Sequence, residues 1–227
     1  MTSNDYDFAI IGSGGAAFAA AIRAAGLGAR CALIERGTIG GTCVNIGCVP
    51  SKTLLAAAHR RHAATTNPFL GAPTSAGGID LSALVAQKDE LVAELRQAKY
   101  LDLADSYGFD IIHAAARFAD EDTVLLSDGR RLRAPSYLVA TGAEPAVPDL
   151  PGLAEAGYLT STTAMTLDTV PRRLVVIGGG FVGMEQGQLF AELGASVTII
   201  GRLAPRAEPE MARRMADIFA DDGIAVV

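Results

Sequence analysis

The chain has 227 residues, 50% of them hydrophobic, and a formal net charge of -6 at pH 7. That length supports one large domain or two small ones around a well-buried core, and the acidic balance argues against nucleic acid or an anionic membrane as partner. Three cysteines and three histidines are too few and too scattered for a structural zinc centre, which needs about four ligands; an odd cysteine count suits a reducing compartment.

Met1 to Asp7 is polar and acidic, without the basic start of a signal or transit peptide. The longest apolar stretch, Phe8 to Ile22, is interrupted by glycines and is shorter than the about 20 residues of a membrane span. A soluble, cytoplasmic protein is expected. Phe8 to Ile11 reads as a strand that runs into Gly12-x-Gly14-x-x-Ala17 and an alanine-rich helix ending near Gly26. A second strand, Ala29 to Ile34, follows and ends at Glu35, 23 positions after Gly12. Strand, glycine turn, helix, strand and terminal acid form a dinucleotide-binding fingerprint in its required context. Gly12 makes the tight turn, Gly14 lets backbone approach a pyrophosphate, Ala17 lets the helix lie close to the strand, and Glu35 accepts from a ribose hydroxyl. Cys31, in the second strand, reads as a core thiol.

Gly40-Gly41-Thr42-Cys43-Val44-Asn45-Ile46-Gly47-Cys48-Val49-Pro50-Ser51-Lys52 places two cysteines five positions apart, behind a glycine turn and before a helix-compatible run, Thr53 to His62. Pro50 suits the first turn of that helix. A lone pair at this spacing can close into a small disulfide ring. Cys48, facing a helix start, is favoured as a thiolate by the unpaired N–H groups and the dipole, and Lys52, one turn on, adds a cation to the same face. Two inert buried thiols are the alternative reading, and it leaves the glycines, the helix start and the lysine as coincidences.

Thr65 to Gly78 reads as a loop, and Leu81 to Leu103 as an amphipathic helix with Leu81, Leu84, Val85, Leu91, Val92 and Leu95 at helical spacing. No chemistry is assigned to it. Phe109 to His113, Ala116 to Phe118 and Thr123 to Leu126, with an Asp128-Gly129 turn before Arg131 to Arg133, read as short strands of one antiparallel meander. His113 reads as a surface strand residue. Tyr137 to Gly142 reads as a buried strand ending in a turn, and Pro145, Pro148 and Pro151 mark a linker.

Leu174 to Ile177, Gly178-x-Gly180-x-x-Gly183, a helix to Leu193 and a strand Val197 to Ile200 repeat the first unit. Adding 166 carries Gly12, Gly14 and Ala17 onto Gly178, Gly180 and Gly183, and Glu35 onto Gly201. An acid there would bind an NAD ribose and repel a 2′-phosphate; glycine followed by Arg202 and Arg206 points to NADPH. Ile224 to Val227 reads as the start of a further strand.

The stretch from Gly40 to Lys52 resembles the redox-active site of the flavin-dependent pyridine nucleotide-disulfide oxidoreductases. Ile11 to Phe18, Leu95 to Tyr100 and Tyr158 to Thr162 look most like the branch of that family that reduces mercuric ion. The resemblance implies an α/β fold: an FAD-binding Rossmann-like, three-layer domain with inserted helices and a β-meander over 1–148, then an incomplete NADPH-binding Rossmann-like domain over 149–227. It implies FAD contacts at Gly37, Thr42, Lys52, Ala116, Thr141 and Gly142. It also implies a redox-active Cys43–Cys48 disulfide with Cys48 as the inner and Cys43 as the outer sulfur, a Lys52–Glu185 ion pair, and Hg(II) bound by Cys43 and Cys48 as substrate. A homodimer is expected at full length, through a C-terminal interface domain that this sequence does not contain. Dihydrolipoamide dehydrogenase or a related disulfide reductase is the alternative enzyme, and a non-catalytic FAD-binding fragment the alternative outside catalysis.

Overall fold

The computed structural model describes residues 5–227; the first four, on which part of the amino-terminal reading falls, lie outside them. Two compact units form: the first from residues up to Val49 with Glu90–Ala146, the second from Pro50–Asp89 with Val147–Val227. In chain order the first half holds β1 (Phe8–Ile11), α1 (Gly15–Ala25), β2 (Cys31–Glu35), α2 (Gly41–Asn45), α3 (Cys48–Thr65) and α4 (Leu81–Arg96). A π-helical turn (Gln97–Leu101) and α5 (Asp102–Tyr107) continue α4. The strands β3 (Asp110–His113), β4 (Ala116–Phe118), β5 (Thr123–Leu126), β6 (Arg131–Arg133) and β7 (Tyr137–Val139) follow. The remainder is α6 (Leu153–Ala156), α7 (Ser161–Ala164), β8 (Arg173–Ile177), α8 (Phe181–Glu192), β9 (Ser196–Ile200), α9 (Pro209–Asp221) and β10 (Ala225–Val226).

In the first unit a parallel sheet runs in the order β3-β2-β1-β7, with Phe8 beside Cys31 and Ile34 beside Ile112. Alternation along the strands separates its two faces. Ile10 and Leu33 pack with Ala17, Phe18 and Ala21 of α1 and with Phe109. Ala9, Ala32, Ile34 and Ile112 face the other way, onto Val124, Leu126 and Leu132 of the antiparallel sheet β4-β5-β6. Covering both faces lets β2 be a continuous apolar run.

The structure departs from the sequence expectations at two strands. Residues Phe109 to His113 do not belong to the meander: β3 pairs in parallel with β2, Glu35 beside His113. Apolar alternation fixes a strand but not the sheet it joins. The strand at Tyr137 is not buried, since it pairs with β1 alone among the described residues and Val139 is 61% exposed.

The second unit has a three-stranded parallel sheet in the order β10-β9-β8. Leu189 and Phe190 of α8, Val197 and Ile199 of β9 and Phe219 of α9 make its core, joined by Leu54 and Ala58 of α3. Pro209 opens α9 at its first turn, where its missing N–H costs nothing.

Candidate functional site

The glycine turn of the first unit is dictated by space. Gly12 has φ +113°, and a Cβ there would lie 2.2 Å from the Ala140 carbonyl oxygen and 3.3 Å from the Thr141 nitrogen. Gly41, at φ +65°, presses on the same turn: its Cβ would stand 2.5 Å from the Cα of Gly14. Two glycines thus bring the fingerprint loop and the cysteine loop into backbone contact. Gly14 starts α1 with no side-chain cap and no acid in the first turn, so the opening N–H groups of this 11-residue helix remain to receive an anion. Glu35 ends β2 with both oxygens engaged, Oε2 accepting from Ser13 Oγ at 2.7 Å and Oε1 from the Gly37 N–H at 2.8 Å. Each carboxylate oxygen keeps a further lone pair for a ribose hydroxyl. The Asn45 amide donates to the carbonyls of Ile39 and Gly41, both at 2.9 Å, and its buried Oδ1 has no hydrogen-bond partner among the described residues. An uncapped helix start, an acid at the strand end and an orphaned acceptor together fit a bound dinucleotide.

Cys43 lies in the single turn of α2, and Cys48 is the first residue of α3. Both are exposed, whereas Cys31 is buried in β2. A hydrogen bond with the Cys48 side chain, then partial burial and the negative charge of a Cys48 thiolate, push the Cys43 thiol above its ordinary pKa. Among the described residues no group of three or more His, Cys, Asp or Glu side chains could hold a metal ion, so a metal reaching this loop meets two sulfurs.

Sequence reasoning missed Tyr100. It sits in the π-helical turn, a local insertion often found at functional positions, and stacks edge-on against Phe18 with ring centroids 4.8 Å apart. Burial first, then the charges of Cys43 and Cys48, raise its hydroxyl pKa, so Tyr100 is a neutral phenol within electrostatic reach of both sulfurs. A helical period carries through 97–101 in the sequence, and nothing there signals the turn.

Of the remaining predicted positions in this unit, Thr42 is exposed in α2 and Thr141 and Gly142 are exposed after β7. Ala116 pairs with Leu126 in the meander.

In the second unit Lys52 of α3 makes an ion pair with Glu185 of α8. Partial burial pushes the Glu185 carboxyl up, but hydrogen bonds from Lys52 and Ser51 and the Lys52 charge outweigh it and hold it below its ordinary value. Gly178 (φ +106°) and Gly183 repeat the first turn more tightly, since a Cβ on Gly183 would stand 2.0 Å from the Gly178 carbonyl oxygen. Gly180 caps α8 with no side-chain bond and no acid in its first turn. The two turns are tied alike: Gly12 N–H donates to Ile34 at 2.8 Å and Gly178 N–H to Ile200 at 2.9 Å. Arg202 and Arg206 are exposed after β9, with Arg202 donating to the Pro205 carbonyl at 3.0 Å. Gly201 has φ +117°, so a side chain at the position matching Glu35 would be strained.

Twin dinucleotide turns, one touching a cysteine pair at a helix start, define a class. The sequence matches the family Pyridine nucleotide-disulphide oxidoreductase over residues 6–227, and the chain belongs to that family. Among its relatives are mercuric reductases: that of Bacillus cereus is 51% identical over 98% of this chain and 36% of the relative. The mercuric reductase of Streptomyces lividans is 51% identical over 97% of this chain and 48% of its own length. The chain therefore spans less than half the length of these relatives. A solved structure of the HOCl-induced flavoprotein disulfide reductase from Escherichia coli superposes with a TM-score of 0.84 at 31% identity, covering 98% of this chain and 48% of that one. Among the described residues no helix is long and apolar enough to cross a membrane.

Proposed function

We propose that this chain forms the FAD- and NADPH-binding part of a mercuric reductase, which carries out NADPH + Hg(II) → NADP+ + H+ + Hg(0). The observation that carries the reading is a pair of exposed cysteines, Cys43 and Cys48, whose loop presses backbone to backbone on the glycine turn at Gly14. The about 50% identity to mercuric reductases over nearly the whole chain supports the choice of substrate.

Gly12, Gly14, Ala17, Glu35, Gly37, Thr42, Lys52, Ala116, Thr141 and Gly142 are assigned to FAD. Gly178, Gly180, Gly183, Arg202 and Arg206 are assigned to NADPH. Bound here, FAD supplies a two-electron relay between a nicotinamide and sulfur. The chain's own part is to hold the pair of sulfurs and the charges around them. Cys43 and Cys48 interchange between a disulfide and two thiols, taking up two electrons and two protons. As thiolates they are soft ligands for a soft ion, and Hg(II) displaces their protons on binding. Two electrons then convert the ion to Hg(0), which leaves because a neutral atom is poorly held by thiolate. Cys48, the first residue of α3, is assigned as the inner sulfur and Cys43, in α2, as the outer, exchanging one. Glu185 fixes the Lys52 ammonium one turn along α3 from Cys48.

A general flavoprotein disulfide reductase is the second reading, favoured by the 31% identity to such an enzyme over 98% of the chain. The test is NADPH oxidation by the full-length protein with Hg(II) in excess thiol, with release of mercury vapour measured beside it. Vapour formed in proportion to NADPH consumed is expected. Oxidation driven by an organic disulfide but not by Hg(II) would select the second reading.

A further inference from the structure

Ser13 is 1% exposed and its hydroxyl is used twice. It donates to Glu35 Oε2 at 2.7 Å and accepts from the Gly40 N–H at 3.2 Å. Gly40, at φ +105°, is the residue on which α2 and Cys43 begin. There is little slack around it, since a Cβ there would lie 2.6 Å from Val44 Cγ1 and 3.4 Å from Tyr100 Cδ2. The second repeat shows that the fold does not need this hydroxyl. Both repeats tie the loop after the second strand to the middle of the glycine turn through backbone, Gly40 N–H to the Ser13 carbonyl at 3.2 Å and Ala204 N–H to the Gly179 carbonyl at 2.7 Å. Gly179, 166 positions after Ser13, has no room for a side chain, because its Cβ would lie 2.5 Å from the Arg202 carbonyl oxygen. In the first repeat alone a hydroxyl is added, between the acid at the strand end and the loop that bears the cysteine.

We propose that Ser13 is a positioning residue that couples the state of the Glu35 carboxylate to the placement and reactivity of Cys43. The inference rests on the reading of Glu35 as the ribose-binding acid. A ribose hydroxyl that donates to Glu35 changes how strongly Oε2 holds the Ser13 proton. The Ser13 oxygen in turn changes how strongly it holds Gly40, since hydrogen bonds in a chain polarise one another. Occupancy of the nucleotide site is thereby reported to the outer sulfur.

The test is a double-mutant cycle in the full-length protein with Ser13→Ala and Glu35→Gln. The rate of iodoacetamide alkylation at Cys43 in the reduced, flavin-free protein is read by mass spectrometry, and the FAD dissociation constant is measured separately. Glu35→Gln is expected to change the Cys43 rate at least about threefold when Ser13 is present and to leave it unchanged in the Ser13→Ala background. Ser13→Ala is also expected to weaken FAD binding about threefold or more. Should Ser13→Ala not fold, Ser13→Gly, which copies the second repeat, takes its place. An equal effect of Glu35→Gln in both backgrounds overturns the coupling, as does a Cys43 rate indifferent to Ser13. The alkylation cycle needs no flavin, so a wild-type protein that binds no FAD overturns the nucleotide reading while the cycle still decides the coupling.

Discussion

Tyr100 carries a hydroxyl that both sulfurs perturb, yet no spacing rule connects residue 100 to residues 43 and 48. The phenol acts through its dipole in the field of the sulfurs, a weaker influence than a direct hydrogen bond, and about 1.4 kcal/mol is tenfold in rate. Tyr100→Phe should therefore slow Hg(II)-dependent NADPH oxidation about threefold; an unchanged rate would remove the phenol from the site. At Glu185 the sign of the pH effect follows from its lowered carboxyl. A carboxyl lowered in the folded state stabilises it above the unfolded value, ordinarily about 4.3. That contribution is lost as pH falls through the folded value. Lys52→Met takes away the charge and hydrogen bond that outweigh burial, so burial then raises the carboxyl. Denaturation midpoints measured against pH should show the variant less stable than the wild type at neutral pH, with the gap closing as pH falls through the carboxylate range, since a raised carboxyl gains stability on protonation; a gap that does not change with pH would contradict the pairing.

The glycine turns make different demands in the two repeats, and each can be tested. Ala17 occupies the first repeat's third position and is fully buried without conflict, whereas a Cβ on Gly183 meets the Gly178 carbonyl at 2.0 Å. Gly183→Ala should destabilise the second unit by about 1–3 kcal/mol, the usual cost of overpacking, read from the urea midpoint. A midpoint equal to wild type would mean that helix and strand can separate freely there. At Gly201 the backbone sets a condition that the sequence does not display. Glutamate placed there, to imitate Glu35, would have to adopt φ near +117°, a region L-residues rarely occupy, so Gly201→Glu should lose stability before it changes cofactor choice. The 166-residue offset was legible because glycines and the strand-turn-helix order carry it. What hydrogen-bonds within a repeat, Ser13 to Glu35 above all, was not, since pairing between residues 22 positions apart depends on strand register. Helix α9 left a readable signal, Pro209 ahead of an amphipathic run, but the π-helical turn left none.

Across the chain, the repeat sets two glycine turns beside strand ends of opposite character. The first ends its second strand in an acid that is hydrogen-bonded on both oxygens, the second in a glycine followed by exposed arginines. If Arg206 meets the 2′-phosphate of NADPH, Arg206→Ala should raise the KM for NADPH about tenfold and leave that for NADH unchanged. Equal rises for both nucleotides would place the arginine elsewhere. Much of this architecture could be read in advance, including both fingerprints, the meander strands and the cysteine loop. Sheet membership of β3 and the exposure of β7 could not, because both are set by which strands pair rather than by local pattern. On the proposed function the two exposed cysteines exchange an electron pair with bound flavin, and alkylation mapping of the full-length holoenzyme decides whether they do. Before reduction Cys43 and Cys48 should be linked and protected, and after one equivalent of NADPH both should be labelled, with buried Cys31 unlabelled throughout. Labelling of Cys43 and Cys48 to the same extent before and after NADPH would contradict the account.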